Sequence, residues 1–135
     1  MKRITVLLAD DNRVLRSLIR GILELEGDLE VVGEAENGHQ AVAMVEKFRP
    51  DLVLMDVQMP LLNGLQATRQ ILKTTPATKV LMVSCLSEEA YVEEATNSGA
   101  MGYLIKHKDV HHLGPAIREV QKGNTFFSPS IPVCA

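Results

Sequence analysis

The sequence predicts one α/β domain: a doubly wound, five-stranded parallel sheet with helices on both faces. Three observations point there. Short apolar runs recur along the chain, "ITVLLAD", "DLVLMD", "KVLMVS" and "GYLIK", with "LEVVGEA" as a fifth. Runs that stay apolar at successive positions suit parallel strands buried on both faces. Helix-period stretches separate them, so strand and helix alternate five times, as a parallel sheet with crossover helices requires. The 135 residues suffice for one ordinary domain and are too few for two.

The elements follow in order. "ITVLLAD" reads as the first strand and closes on Asp10, with Asp11 next. Val14, Leu15, Leu18, Ile19, Ile22 and Leu23 then form one helical stripe. "LEVVGEA" alternates more and reads as an edge strand. Ala41, Val42, Val45 and Phe48 mark the second helix. "DLVLMD" is the third strand and ends on Asp56; Met59-Pro60 turns the chain away, because Pro cannot extend a central strand. Leu65, Thr68, Ile71 and Leu72 give the third helix, and "KVLMVS" the fourth strand, ending on Ser84. "SEEAYVEEATNSG" is a weaker helix. Ser87 with Glu88 and Glu89 opens it, only Ala90, Tyr91, Val92 and Ala95 can bury, and Gly99 stops it. "GYLIK" ends on Lys106, and Val110, Leu113, Ala116, Ile117 and Val120 mark the last helix. From Asn124 the pattern dissolves. "NTFFSPSIPVCA" reads as an irregular tail docked by Phe126 and Phe127.

Composition narrows the function. At 46% hydrophobic the chain can build a core without metal or disulfide staples. Net charge is -3, from 14 basic and 17 acidic residues with no basic block, which argues against direct binding of nucleic acid or a membrane surface. Cys85 and Cys134 lack zinc-site spacing and fit a reducing, cytoplasmic setting. The N-terminal apolar run is too short for a signal peptide, and no segment has transmembrane length.

In open α/β sheets, ligands bind outside the carboxyl ends of the strands. Asp10, Asp11, Asp56, Ser84 and Lys106 all fall there. Each has a plainer explanation alone: Asp10 and Asp11, followed by Asn12, as caps of the first helix, Asp56 as a solvated strand exit, Ser84 as turn chemistry, Lys106 as surface. Five such residues at strand ends make the plain explanations weak together. Three close carboxylates repel and raise one another's pKa unless a cation intervenes. A hard divalent cation such as Mg²⁺ accepts carboxylates, water and phosphate oxygens. Lys106 adds a point charge for a phosphoryl oxygen, and an Asp carboxylate can attack phosphorus. The set suits phosphoryl transfer onto Asp56, with metal and Lys106 offsetting the charge that builds up.

Four motifs, "ADDN" at 9 to 12, "MDVQMPLLNG" at 55 to 64, "VSCLSE" at 83 to 88 and "GAMGYLIK" at 99 to 106, stand in an order and spacing that resemble the receiver domain of two-component response regulators. The likeness covers about residues 3 to 122. It implies a flavodoxin-like (βα)5 fold with strand order 2-1-3-4-5. It implies that Asp56 accepts a phosphoryl group from a histidine kinase, with Asp10, Asp11, Asp56 and the backbone carbonyl of Gln58 around Mg²⁺. Ser84 and Lys106 would bind phosphoryl oxygens, and Ser84 with Tyr103 would form the switch. The segment from Gly99 to Ile131 resembles the NarL/LuxR-type subfamily, whose members usually carry a C-terminal helix-turn-helix. Residues 1-122 are then the receiver, and residues 123-135 a tail or the start of a linker to an absent DNA-binding domain. A homodimer through the first and fifth helices, or through the face of the fourth, is open. Departures from the common pattern are Lys106-His107 in place of Lys-Pro, Asn63 in place of Asp, Ser84 in place of Thr, and Cys85 at a position usually held by a small residue.

The expectation is therefore a phosphoacceptor signalling domain, not an enzyme with turnover on a separate substrate. A haloacid-dehalogenase-type phosphatase would need a second acid where Gln58 stands. A flavin protein of this topology would need a phosphate-cradling loop where "ADDNR" is acidic. A receiver serving as a constitutive binding module would not need the full acid, hydroxyl and lysine set. His111 and His112, adjacent on a helix, point about 100° apart and read as surface residues.

Overall fold

The elements are β1 (Ile4–Ala9), α1 (Arg13–Glu24), β2 (Leu29–Ala35), α2 (Gly38–Phe48), β3 (Leu52–Met55), α3 (Gly64–Thr74), β4 (Lys79–Ser84), α4 (Glu89–Ser98), β5 (Gly102–Ile105), α5 (Leu113–Gln121) and β6 (Phe126–Phe127). They come from a computed structural model that describes residues 2–131; Cys134 and the end of the expected tail lie outside these. The strands form one parallel sheet in the order β2-β1-β3-β4-β5-β6. The five expected strands are present in the expected order. No helix among the described residues is long and apolar enough to cross a membrane.

The apolar runs explain the layers. Strand side chains alternate between faces, so Leu7, Ala9, Val53 and Met55 join the core under α2, α3 and α4. Val6, Leu8, Leu52 and Leu54 join the core under α1 and α5. Both faces of β1 and β3 are covered, which is why these strands read as unbroken apolar runs.

A sixth strand is a departure from the five expected. The stretch read as an irregular tail lays Phe126 and Phe127 beside Gly102 and Tyr103. Phe126 N donates to Met101 O at 3.1 Å, and Ser128 N donates to Tyr103 O at 2.8 Å. Phe126 packs into the α1/α5 core and Phe127 into the other, with Ile131 buried beyond them. Gly102 makes room for this: a Cβ there would lie 2.1 Å from Phe126 O. A two-residue strand has too little periodicity to be seen in a sequence.

The α1 stripe also differs. Ile19 and Leu23 are buried, whereas Val14 and Leu18 are 80% and 53% exposed. The helix seats only a narrow face, and positions 14 and 18 fall on its flank. Arg16, not counted in the stripe, is buried instead. The weak α4 is present and Gly99 closes it at φ 108° as expected, but of the four residues read as able to bury only Ala95 does; Val92 is half-buried, Ala90 and Tyr91 are exposed, and Ser98 is buried instead. Its start carries no side-chain cap from Glu88. A short 3-10 turn, Val110–His112, precedes α5, so that helix begins three residues later than its stripe.

Candidate functional site

Helix capping separates the acids from the turn that carries them. Asn12, not either Asp, caps α1: its side chain accepts from Leu15 N at 3.1 Å. Asp10 and Asp11 are left for other work. Asp10 continues the β1 ladder by donating its N to Ala35 O at 3.0 Å, and its Oδ1 accepts from Asn12 N at 2.8 Å. Asp56 does the same at the end of β3, donating its N to Ala9 O at 2.9 Å. Two adjacent parallel strands thus end in register, and their acids come together.

Lys106, at the end of β5, reaches across. Its Nζ lies 2.6 Å from Asp10 Oδ2 and 3.0 Å from Asp56 Oδ2. Asp10, Asp11 and Asp56 can each offer a carboxylate oxygen within 4.8 Å of the others. Asp10 and Asp56 are buried; Asp11 is exposed at the mouth. Beneath them, Gly64 opens α3 so close that a Cβ would lie 1.9 Å from Asp56 O. Gly64 N donates to Val57 O and Gln58 N to Asp56 Oδ1, at 2.9 and 3.3 Å, which fixes the loop after β3.

One ammonium faces three carboxylates, and the charge is not balanced. Burial pushes the Asp56 carboxyl up to about 6; Lys106 opposes this and the Asp10 charge adds to it. Lys106 itself is held above its ordinary value: burial lowers it, but Asp10 and Asp56 outweigh the burial. An all-oxygen, net-negative cluster with one member open to solvent has the donor chemistry that a hard divalent cation takes. The triad is the acidic set typical of a receiver metal site.

Ser84, at the end of β4, is 1% exposed, and its Oγ accepts from Leu86 N at 3.1 Å. Tyr103 is wholly buried, and its hydroxyl donates to Leu86 O at 2.7 Å. Burial pushes its phenol up against the pull of a hydrogen bond with Ser84. The peptide groups of Leu86 therefore tie the hydroxyl of β4 to the aromatic of β5. Sequence reasoning missed this link, because main-chain atoms leave no mark on residue type. A groove of about 550 Å³ opens from Asp11 past Met59, Pro60, Leu86 and Tyr91. Cys85 is exposed. No peptide among the described residues is cis, so Lys106-His107 leaves the strand in the trans form. His111 is exposed; His112 is half-buried, with Nδ1 3.2 Å from Asp109 Oδ1.

The chain belongs to the response regulator receiver domain family, whose model matches residues 6–118. The transcriptional regulatory protein DegU of Brevibacillus brevis is 38% identical over 129 residues, covering 96% of this chain and 55% of that protein. The response regulator protein VraR of Staphylococcus aureus is 36% identical over 130 residues, covering 96% of this chain and 62% of that one. A LuxR-family two-component response regulator from Aurantimonas sp. SI85-9A1 superposes with a TM-score of 0.92 at 30% identity, covering 96% of this chain and 93% of the solved one. The signal receiver domain of the NarL regulator from Mycobacterium tuberculosis gives 0.88 at 31% identity, covering 92% and 100%. The chain spans between 55% and 64% of the length of the curated relatives it matches.

Proposed function

We propose that this receiver accepts a phosphoryl group on Asp56 from the phosphohistidine of a histidine kinase, and that the event alters the β4–α4–β5 region. The carrying observation is the Lys106 ammonium clamped between the buried Asp10 and Asp56 carboxylates, with Asp11 within metal-sharing distance. Asp10, Asp11, Asp56 and the Gln58 carbonyl would hold Mg²⁺, whose charge would offset that of the incoming phosphoryl oxygens. An Asp56 pKa of about 6 suits the acceptor. Without metal the group is already ionised at neutral pH, and Mg²⁺ would favour the carboxylate further, leaving it free to attack phosphorus. Its oxygen forms the bond to phosphorus as the donor's P–N bond breaks. Lys106 would then follow a phosphoryl oxygen, and Ser84 Oγ would donate to another.

The phosphoryl group brings roughly -1.5 to -2 charge and three acceptor oxygens. If Ser84 Oγ turns toward the phosphoryl group it would release Leu86 N, on the same residue whose carbonyl Tyr103 holds. That supports Ser84 and Tyr103 as the switch. The thin burial of α4 supports low-cost movement beside them. The likeness to LuxR-type regulators supports transcriptional control in the cytoplasm. Residues 1-122 would act as receiver, and residues 123-135 would lead to a DNA-binding helix-turn-helix domain beyond. Incubation with acetyl phosphate and Mg²⁺ tests the core of this. One phosphate-sized mass gain is expected in the wild type and none in Asp56→Asn; a gain that persists in the variant overturns the assignment.

A further inference from the structure

Arg16 has no part in the chemistry above, yet it is 6% exposed on a helix that leaves Val14 and Leu18 in water. Arginine is seldom so buried unless paired. Its partners here are specific. Nη1 donates to the backbone carbonyl of Asp10 at 2.6 Å, and Nε donates to Glu34 Oε1 at 3.0 Å. Nη2 lies 3.7 Å from Glu36 Oε1. Glu34 is fixed from its other side by Arg20 Nη1 at 2.6 Å, and Arg20 is braced in turn by Glu24 at 2.8 Å. The guanidinium is therefore a rigid fork, held at one side by β2 and holding the end of β1 at the other.

The carbonyl it holds is the joint between the two acids. Asp10 N is tied to Ala35 O, Asp10 O to Arg16, and the chain then passes at once to Asp11. We propose that Arg16 is a positioning residue for the metal site: it fixes the peptide after Asp10 and so sets where the Asp10 and Asp11 carboxylates point. This rests on the metal reading given above. Hard cations need their oxygen ligands closely placed, and groups that orient such ligands typically matter about 10–100-fold in metal affinity.

Charge and position make opposite forecasts, which allows a clean test. Arg16→Met removes a cation beside a cation site, so electrostatics alone would tighten Mg²⁺ binding. Loss of positioning would weaken it. Calorimetric Mg²⁺ titration well below the melting temperature reads affinity in folded protein, where lowered stability alone has no effect. The expected result is at least about tenfold weaker binding for Arg16→Met. Arg16→Lys keeps the charge, but one ammonium cannot reproduce the fork that spans Glu34 and the Asp10 carbonyl. It should fall between wild type and Arg16→Met, and it decides the matter if Arg16→Met does not fold. Equal or tighter binding in the folded variants, beside a wild type that binds, overturns this inference alone. A wild type that takes up no Mg²⁺ overturns the metal reading and this inference with it.

Discussion

Replacing Asp56 by Asn should stabilise the protein when metal is absent. The variant keeps the shape of the side chain and removes the ionisable carboxyl. Burial, assisted by the Asp10 charge and opposed by Lys106, moves that carboxyl from 3.8 to about 6. At about 1.4 kcal/mol per pKa unit, the ionised carboxylate costs the folded state about 3 kcal/mol relative to the unfolded chain. The folded pKa lies above the unfolded one. Asp56 therefore favours folding most at acid pH, below the unfolded value, and that contribution is lost as pH rises through about 6. Asn has no such dependence. Urea unfolding in chelator, followed by circular dichroism, should show Asp56→Asn more stable by about 3 kcal/mol near pH 7.5, or roughly 10 °C in melting temperature for a chain of this size. The gap should shrink as pH falls toward about 4, and Mg²⁺ should narrow it at neutral pH by stabilising the wild type more than the variant. A variant no more stable than wild type at neutral pH, or a gap that ignores pH, would refute the reasoning. Lys106 would then fully compensate the buried charge.

Mg²⁺ should raise the melting temperature of the wild type by mass action, and Asp11→Ala should abolish the rise; an unchanged response counts against Asp11 as a ligand. Beryllofluoride with Mg²⁺, a phosphoryl mimic, should alter amide exchange from Ser84 through Lys106. Ser84→Ala should bind the mimic more weakly and lose the distal change, and a wild-type response confined to Asp10, Asp11 and Asp56 rules out the switch. Gly102→Ala would place a Cβ 2.1 Å from Phe126 O. It should displace β6, lower stability by about 2 kcal/mol and speed exchange at Phe126 and Ser128; unaltered exchange at those amides would show that β6 does not depend on this contact.

The sequence by itself determined the alternation of strands and helices, the doubly wound class and the residues at the carboxyl edge. It could do so because burial on both faces demands unbroken apolar runs, and because a strand that ends at a functional edge ends on a polar residue. Asp10, Asp56, Ser84 and Lys106 were legible for that reason. Gly99 was legible as a helix stop because its left-handed conformation suits residues without a Cβ. Tertiary structure decided what depends on atoms that residue type does not report. Asn12 rather than Asp10 or Asp11 caps α1, because one side-chain oxygen reaches Leu15 N. Arg16 is inside and Val14 outside, because a wide apolar stripe meets a narrow seat, and because a guanidinium can be buried once Glu34 and a carbonyl satisfy it. Leu86 joins Ser84 to Tyr103 through its N–H and its carbonyl, main-chain groups that nearly every residue shares. β6 exists because Gly102 lets a neighbouring carbonyl approach, a long-range fit that two phenylalanines in a polar tail could not announce.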